Sequence, residues 1–234
     1  MKHTLCLPVV GFLCCAPFAS AANIIDSIYG IGAGSFEIPD PNITDYDTFT
    51  AGSTAMAGWT VGQASIDWVH QSIWTSSNGK YSLDMNGTDF TGPDAPEVGS
   101  VYTVIPTTAG STYLISFDVS GYLSYGNSTN PKEMDVSVEA VNISNMLTEI
   151  HREQVLYTST YTGSVTPLLL DWSTRSFTFI ATEANTRITF ISKVTNNTSG
   201  MILDNVSVEL VPEPGSAALL GAAGLMLLGR RSRR

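Results

Sequence analysis

Ser65-Ile66-Asp67-Trp68-Val69-His70-Gln71-Ser72-Ile73-Trp74 packs an acid, a histidine and two tryptophans into ten residues. Its first six residues read as a strand. Ile66, Trp68 and His70 then point one way, and Asp67 and Val69 the other. A second alternating run follows at Tyr81-Ser82-Leu83-Asp84-Met85-Asn86-Gly87. There Tyr81, Leu83 and Met85 share one face, and Ser82, Asp84 and Asn86 the opposite one. Burying Ile66, Trp68, Leu83 and Met85 between two sheets puts Asp67, Asp84 and Asn86 on an outer face or near a rim. Trp74 falls in the connection, where its ring can lie over a loop or be partly exposed.

The rest of the chain agrees with a β reading. Residues 101–105, 112–119, 134–141, 175–180, 187–191 and 201–210 are rich in Thr, Val, Ile, Tyr and Phe. Such residues suit a pleated, half-buried surface. Asn78-Gly79, Asn86-Gly87, Ala109-Gly110 and Gly126-Asn127 supply turns between them. No βαβ alternation and no repeat of fixed period occurs. The expected fold is all-β, a single two-sheet jelly-roll sandwich. Residues 39–58, rich in Thr and Asp, read as an irregular loop tucked down by Phe49 and Met56. His151 and Arg152 read as a solvated loop or strand edge.

The two ends differ from this body. Residues 1–22 combine Lys2 and His3, an apolar stretch from Leu5 to Phe18 and the small residues Ala19-Ser20-Ala21, the form of a secretory signal peptide. All three cysteines, Cys6, Cys14 and Cys15, lie inside it, so the body from 23 to 210 has no thiol chemistry and no disulfides. At the other end, residues 211–234 run from Pro212-Glu213-Pro214 through an apolar stretch, Ser216 to Gly229, to Arg230-Arg231-Ser232-Arg233-Arg234. As a helix, that stretch is about 21 Å long at 1.5 Å per residue, short of a bilayer core of about 30 Å. Local thinning can hold such a short helix for a time, its arginines on the cytoplasmic side. This tail resembles the PEP-CTERM sorting signal of exported bacterial proteins. The resemblance implies an exosortase as partner, a temporary inner-membrane hold, and cleavage near Pro212, Glu213 and Pro214, followed by display at the cell surface or release.

The body is acidic. It holds six basic and twenty acidic residues, a net charge near −14. A nucleic-acid partner needs the opposite sign. Solubility, cation binding or a neutral glycan all fit.

Three readings compete for the opening stretch. One is core and turn packing. Another is a glycan platform of Trp74 and Tyr81, with Asp67, Asp84 and Asn86 binding hydroxyls, since ring faces cover sugar C–H groups. The third is a hydrolase using Asp67 and Asp84 as its two carboxylates. Neither a Gly-x-Ser-x-Gly elbow nor a His-Glu-x-x-His motif is present. The expectation is therefore a non-enzymatic protein.

Gly34-Ser35-Phe36-Glu37, Gly58-Trp59, Ser65 to Trp68, Trp74, Ser82 to Gly87 and Leu203-Asp204-Asn205-Val206-Ser207-Val208 occur in that order. This series resembles the choice-of-anchor C family of bacterial surface proteins, related to the plant cell-wall domain of unknown function 642 family. The resemblance implies a galactose-binding-like jelly roll, association with a cell surface or extracellular matrix, and binding of carbohydrate such as an extracellular polysaccharide. One departure is Gly99-Ser100-Val101-Tyr102, preceded by Pro93-Asp94-Ala95-Pro96, where the family has a glutamine-rich strand start. Similar jelly rolls carry a structural calcium where first and last strands meet, and Glu37 and Asp204 fall in the corresponding blocks. Calcium takes six to eight oxygen ligands, so these two carboxylates are its candidate ligands here. A purely structural matrix protein with no small ligand is the alternative.

Overall fold

The computed structural model describes residues 22–88, 98–122, 131–159, 167–195 and 199–212. The expected signal peptide up to residue 21, and the tail from Glu213 onward with Pro214, lie outside the described residues. Among the described residues, no helix is long and apolar enough to cross a membrane.

Among the described residues, one short helix, α1 (Ile24–Tyr29), precedes eleven strands. These are β1 (Tyr46–Thr50), β2 (Thr60–Gln63), β3 (Ser65–His70), β4 (Tyr81–Asp84), β5 (Ser100–Pro106), β6 (Thr112–Ser120), β7 (Lys132–Val141), β8 (Leu147–Tyr157), β9 (Ser173–Ile180), β10 (Asn185–Ser192) and β11 (Ile202–Leu210). Six strands form one sheet in the order β1-β3-β4-β11-β6-β9, and five form the other in the order β2-β5-β10-β7-β8. All the pairings are antiparallel. The molecule is the expected two-sheet sandwich.

One segment departs from the sequence reading, and another settles between its alternatives. Tyr46–Thr50, read as part of an irregular loop, is an edge strand paired with β3. Polar residues fall on both of its faces, Asp47 beside Phe49 on one and Thr48 and Thr50 on the other, which hides the alternation. Residues 147–157 form a second edge strand, β8, which contains His151 and Arg152. Edge strands are often charged because charge discourages pairing with other chains.

The core lies between the sheets. Ile66 and Trp68 of β3 face it, as do Leu83 of β4 and Met85 just beyond. Aromatic rings run through it: Phe36 to Trp59 at 5.1 Å, Trp59 to Phe190 at 6.1 Å, Phe190 to Phe117 at 5.2 Å. Burying one such side chain stabilises by about 1.5–3 kcal/mol. Both core indoles satisfy their N–H groups on the N-terminal segment, Trp59 on the Ala33 carbonyl and Trp68 on the Phe36 carbonyl, each at 2.9 Å. Asn23 caps α1 and also bonds Val206 and Val208 of β11. The start of the body is thereby fastened to its last strand.

A second apolar cluster sits on the outer face of the six-stranded sheet. Val69 and Ile202 project from the sheet, and Trp74 and Leu170 cover them. The Ile73–Thr75 stretch bonds Leu168 in both directions, and Thr75 also accepts from the Trp172 indole. Two connections therefore cross this face and close it over.

Candidate functional site

The outer face of the six-stranded sheet brings together three of the five expected ligand-binding residues. Strand register sets Thr48, Asp67, Asp84, Ile202 and Ser120 side by side across β1, β3, β4, β11 and β6. Asp67 and Asp84 are direct cross-strand partners. Such partners hold their Cβ atoms about 4.5–5.5 Å apart. A cavity of about 190 Å³ opens over them, lined by Tyr46, Asp67, Trp74, Asp84, Thr88 and Tyr122 among others.

Both carboxyls lie on the outer face, as expected, but that face is not open to solvent at them. Asp67 and Asp84 are both buried, because the connections above shield this face. Asp67 Oδ1 accepts from the Thr48 hydroxyl at 2.6 Å and the Thr88 N–H at 3.1 Å. Asp84 Oδ1 accepts from the N–H groups of Asn86 at 3.0 Å and Gly200 at 2.8 Å. Burial raises the Asp67 pKa. Burial, with the Asp67 charge adding to it, pushes Asp84 up to about 8. At neutral pH the Asp84 carboxyl is therefore mostly neutral and can donate as well as accept.

The aromatic residues divide differently from the sequence reading. Trp74 is not partly exposed. Its indole N–H donates to Ser82 Oγ at 2.8 Å and its ring packs 5.3 Å from Tyr122. Only the part of Trp74 that lines the cavity is open to a ligand. Tyr81 belongs to the core, its ring tilted against those of Trp68 and His70, with its hydroxyl donating to Asp40. Burial and that carboxylate push the Tyr81 hydroxyl up to about 12. Asn86 is wholly buried and bridges Val194 and Ser192. Tyr81 and Asn86 are thus structural, and the platform as expected does not form. Its place is taken by Tyr46, which is 45% exposed at the cavity. Tyr46-Asp47-Thr48-Phe49 shows no clean alternation, so nothing local marks Tyr46, Thr88 or Tyr122.

Glu37 and Asp204, the expected metal ligands, both accept hydrogen bonds from the backbone of the 77–81 turn. Glu37 Oε1 accepts the N–H groups of Lys80 and Tyr81, both at 2.8 Å. Asp204 Oδ2 accepts those of Ser77 and Asn78, also at 2.8 Å, and its Oδ1 that of Asn205 at 2.6 Å. A β-bulge between Asp204 and Ser207, with Asn205 at φ 52°, turns the chain there. Burial pushes Asp204 up to about 8, against the pull of its N–H donors. The two carboxylates hold the 77–81 turn from both ends. These donors take up lone pairs of Glu37 Oε1 and of both Asp204 oxygens. Among the described residues, no group of three or more His, Cys, Asp or Glu side chains is arranged to hold a metal.

With this geometry in view, the sequence matches the family described as "Protein of unknown function (DUF642)" over residues 30–209. The chain belongs to that family. Within the DUF642 chain, the match takes in every strand from β1 to β10 and β11 up to Glu209. A relative is halomucin of Haloquadratum walsbyi (strain DSM 16790 / HBSQ001), 27% identical over 186 residues; these cover 77% of this chain and 2% of halomucin. Among solved structures, the chain is similar to TmCBM61, determined in complex with β-1,4-galactotriose, at 13% identity and a TM-score of 0.44. That alignment covers 82% of this chain and all of the other. It is also similar to the CBM22-1 xylan-binding domain of Paenibacillus barcinonensis Xyn10C, at 15% identity and a TM-score of 0.43, with 72% and 94% covered. An arabinose-bound MgGH51 α-L-arabinofuranosidase gives 11% identity and 0.49, with 82% and 27% covered.

Proposed function

We propose that this DUF642 chain is an exported, non-catalytic carbohydrate-binding protein of the cell surface or extracellular matrix. The cavity over Asp67 and Asp84 carries the binding half of this reading. Three aromatic residues stand around two carboxyls and a threonine in a partly closed space, a combination that suits a sugar ring with its C–H faces and hydroxyls. At about 190 Å³ the space is below the usual range of about 300–1,000 Å³ for drug-sized ligands. One terminal or side-branch sugar is the unit it suits. Protonated Asp84 would give such a sugar a donor, and the free oxygens of both carboxyls would give it acceptors.

The export half rests on the two ends of the sequence. Residues 1–22 direct the chain out, and the apolar run after Pro212-Glu213-Pro214 holds it until an exosortase cuts. Screening residues 23–210 against a glycan array tests the binding half. Binding that Tyr46→Ala abolishes supports it, while silence across a broad array favours the purely structural matrix role. Following a tagged Glu213→Ala chain in cells tests the sorting half, with retention in the inner membrane as the expected outcome.

One observation favours a second reading, glycoside hydrolysis. Asp67 and Asp84 are direct cross-strand partners on one face, a pair of neighbouring carboxyls such as glycosidases use, and Asp84 carries a proton near neutral pH. Against it, one oxygen of each is engaged by the fold's own donors. Polysaccharide hydrolysis that Asp84→Asn abolishes would favour this reading over simple adhesion.

A further inference from the structure

The end of the sandwich from which β11 leaves carries several exposed aliphatic side chains among its polar ones. The β7–β8 hairpin tip puts Ile143 fully into solvent, with Met146 64% exposed. This tip is not loose. Asn142 Oδ1 accepts the N–H groups of Ser144 and Met146, the Asn142 N–H bonds the Met146 carbonyl, and Asn145 turns the chain at φ 58°. The backbone is held so that two aliphatic side chains point outward.

Register puts this tip at the C-terminal exit. Val141 pairs with Asn185, and Asn185 with Pro106. Thr107 bonds Ala184, and Ala181 bonds Ser111, so the same end continues into the six-stranded sheet. There Thr112 pairs with Ile180 and Tyr113 with Leu210. Ile180 and Leu210 are 57% and 45% exposed. The Val211 N–H bonds the Thr112 carbonyl, the last strand-like bond before Pro212.

The apolar run of the tail begins at Ser216. Four residues, Glu213 to Ser216, reach at most about 14 Å at about 3.6 Å each. A body on so short a leash, with its tail in a bilayer, presents this end to the lipid. We propose that the Ile143–Met146 tip, with Ile180 and Leu210, docks on the membrane interface while the chain is held by its tail. This rests on the anchoring half of the proposal above. Glu149 and Glu183 are exposed at the same end, so the contact is apolar and is made with a zwitterionic surface rather than through anionic headgroups.

The chain from 23 to 234 has no cysteine, which permits single labels. An environment-sensitive dye is attached at Ile143→Cys, Met146→Cys, Leu219→Cys in the tail, or Ala51→Cys in the β1–β2 connection at the opposite end. Each protein is reconstituted with phosphatidylcholine vesicles. The proposal expects a blue shift at 143, 146 and 219, quenched by brominated lipid, and none at 51. A shift at 219 with none at 143 or 146 overturns the docking and leaves the anchoring intact. Absence of a shift at 219 removes the anchoring and the docking with it. A shift at 143 without vesicles, growing with protein concentration, shows a second copy covering the tip and also overturns the proposal.

Discussion

Asp67 and Asp84 face one another across β3 and β4, both on the outer side of the sheet and both buried. Like charges directly opposite in a sheet destabilise it, and burial adds to that cost. Proton uptake by Asp84 relieves both.

A pH dependence follows. The Asp84 carboxyl sits at about 8 in the folded chain against an ordinary 3.8. Between those values the folded chain keeps a proton that the unfolded chain releases, so stability falls as pH rises from about 4 to about 8. The Asp204 carboxyl, also at about 8, acts in the same direction. Tm by circular dichroism should be higher at pH 5 than at pH 8, and Asp84→Asn should shrink that difference. An unchanged difference in the variant contradicts the assignment.

The carboxyl groups of Glu37 and Asp204 hold the 77–81 turn through its backbone N–H groups. Glu37→Ala strands two N–H groups, each costing about 1–3 kcal/mol if it remains buried and unpaired. Glu37→Gln keeps an acceptor oxygen and should cost less. For a domain of this size, 1 kcal/mol moves Tm by about 2–4 °C. Adding a chelator, or calcium, should leave Tm unchanged. A rise with calcium would restore a metal at Glu37 and Asp204.

Trp68 joins the core to the N-terminal segment through the Phe36 carbonyl. Trp68→Ala should cost about 3–5 kcal/mol. Trp68→Phe keeps most of the ring and should lose mainly the hydrogen bond, about 0.5–1.5 kcal/mol, plus the cost of any carbonyl left unpaired. Urea denaturation measures both. Equal losses would show that the indole N–H contributes little.

The sequence made the inner face of the sandwich readable and much of the outer face unreadable. Ile66, Trp68, Leu83 and Met85 follow the two-residue period because one side of each strand meets the core. That period also assigned Asp67 and Asp84 to the outer side. It could not tell that this side is covered, because the cover comes from far along the chain. Trp172 bonds Thr75 across 97 positions, and no local pattern encodes such a contact. Trp74 and Tyr81 suggested a platform because they are aromatic and near acids. Tyr81 was already on the core-facing side of its own alternation, and that was the better guide. The edge strand β1, with the exposed Tyr46, was hidden by its polar composition.

The central claim is that the cavity beside Tyr46 binds sugar. Tyr46 is half-exposed on an edge strand, so Tyr46→Ala should leave the fold intact, whereas truncating buried Trp74 would not. Isothermal titration of the best array glycan into the parent and the Tyr46→Ala protein is the direct measurement. Losing an aromatic contact of about 1.4 kcal/mol should weaken binding about tenfold, with Tm unchanged. Equal affinity in a normally folded Tyr46→Ala protein would contradict the account.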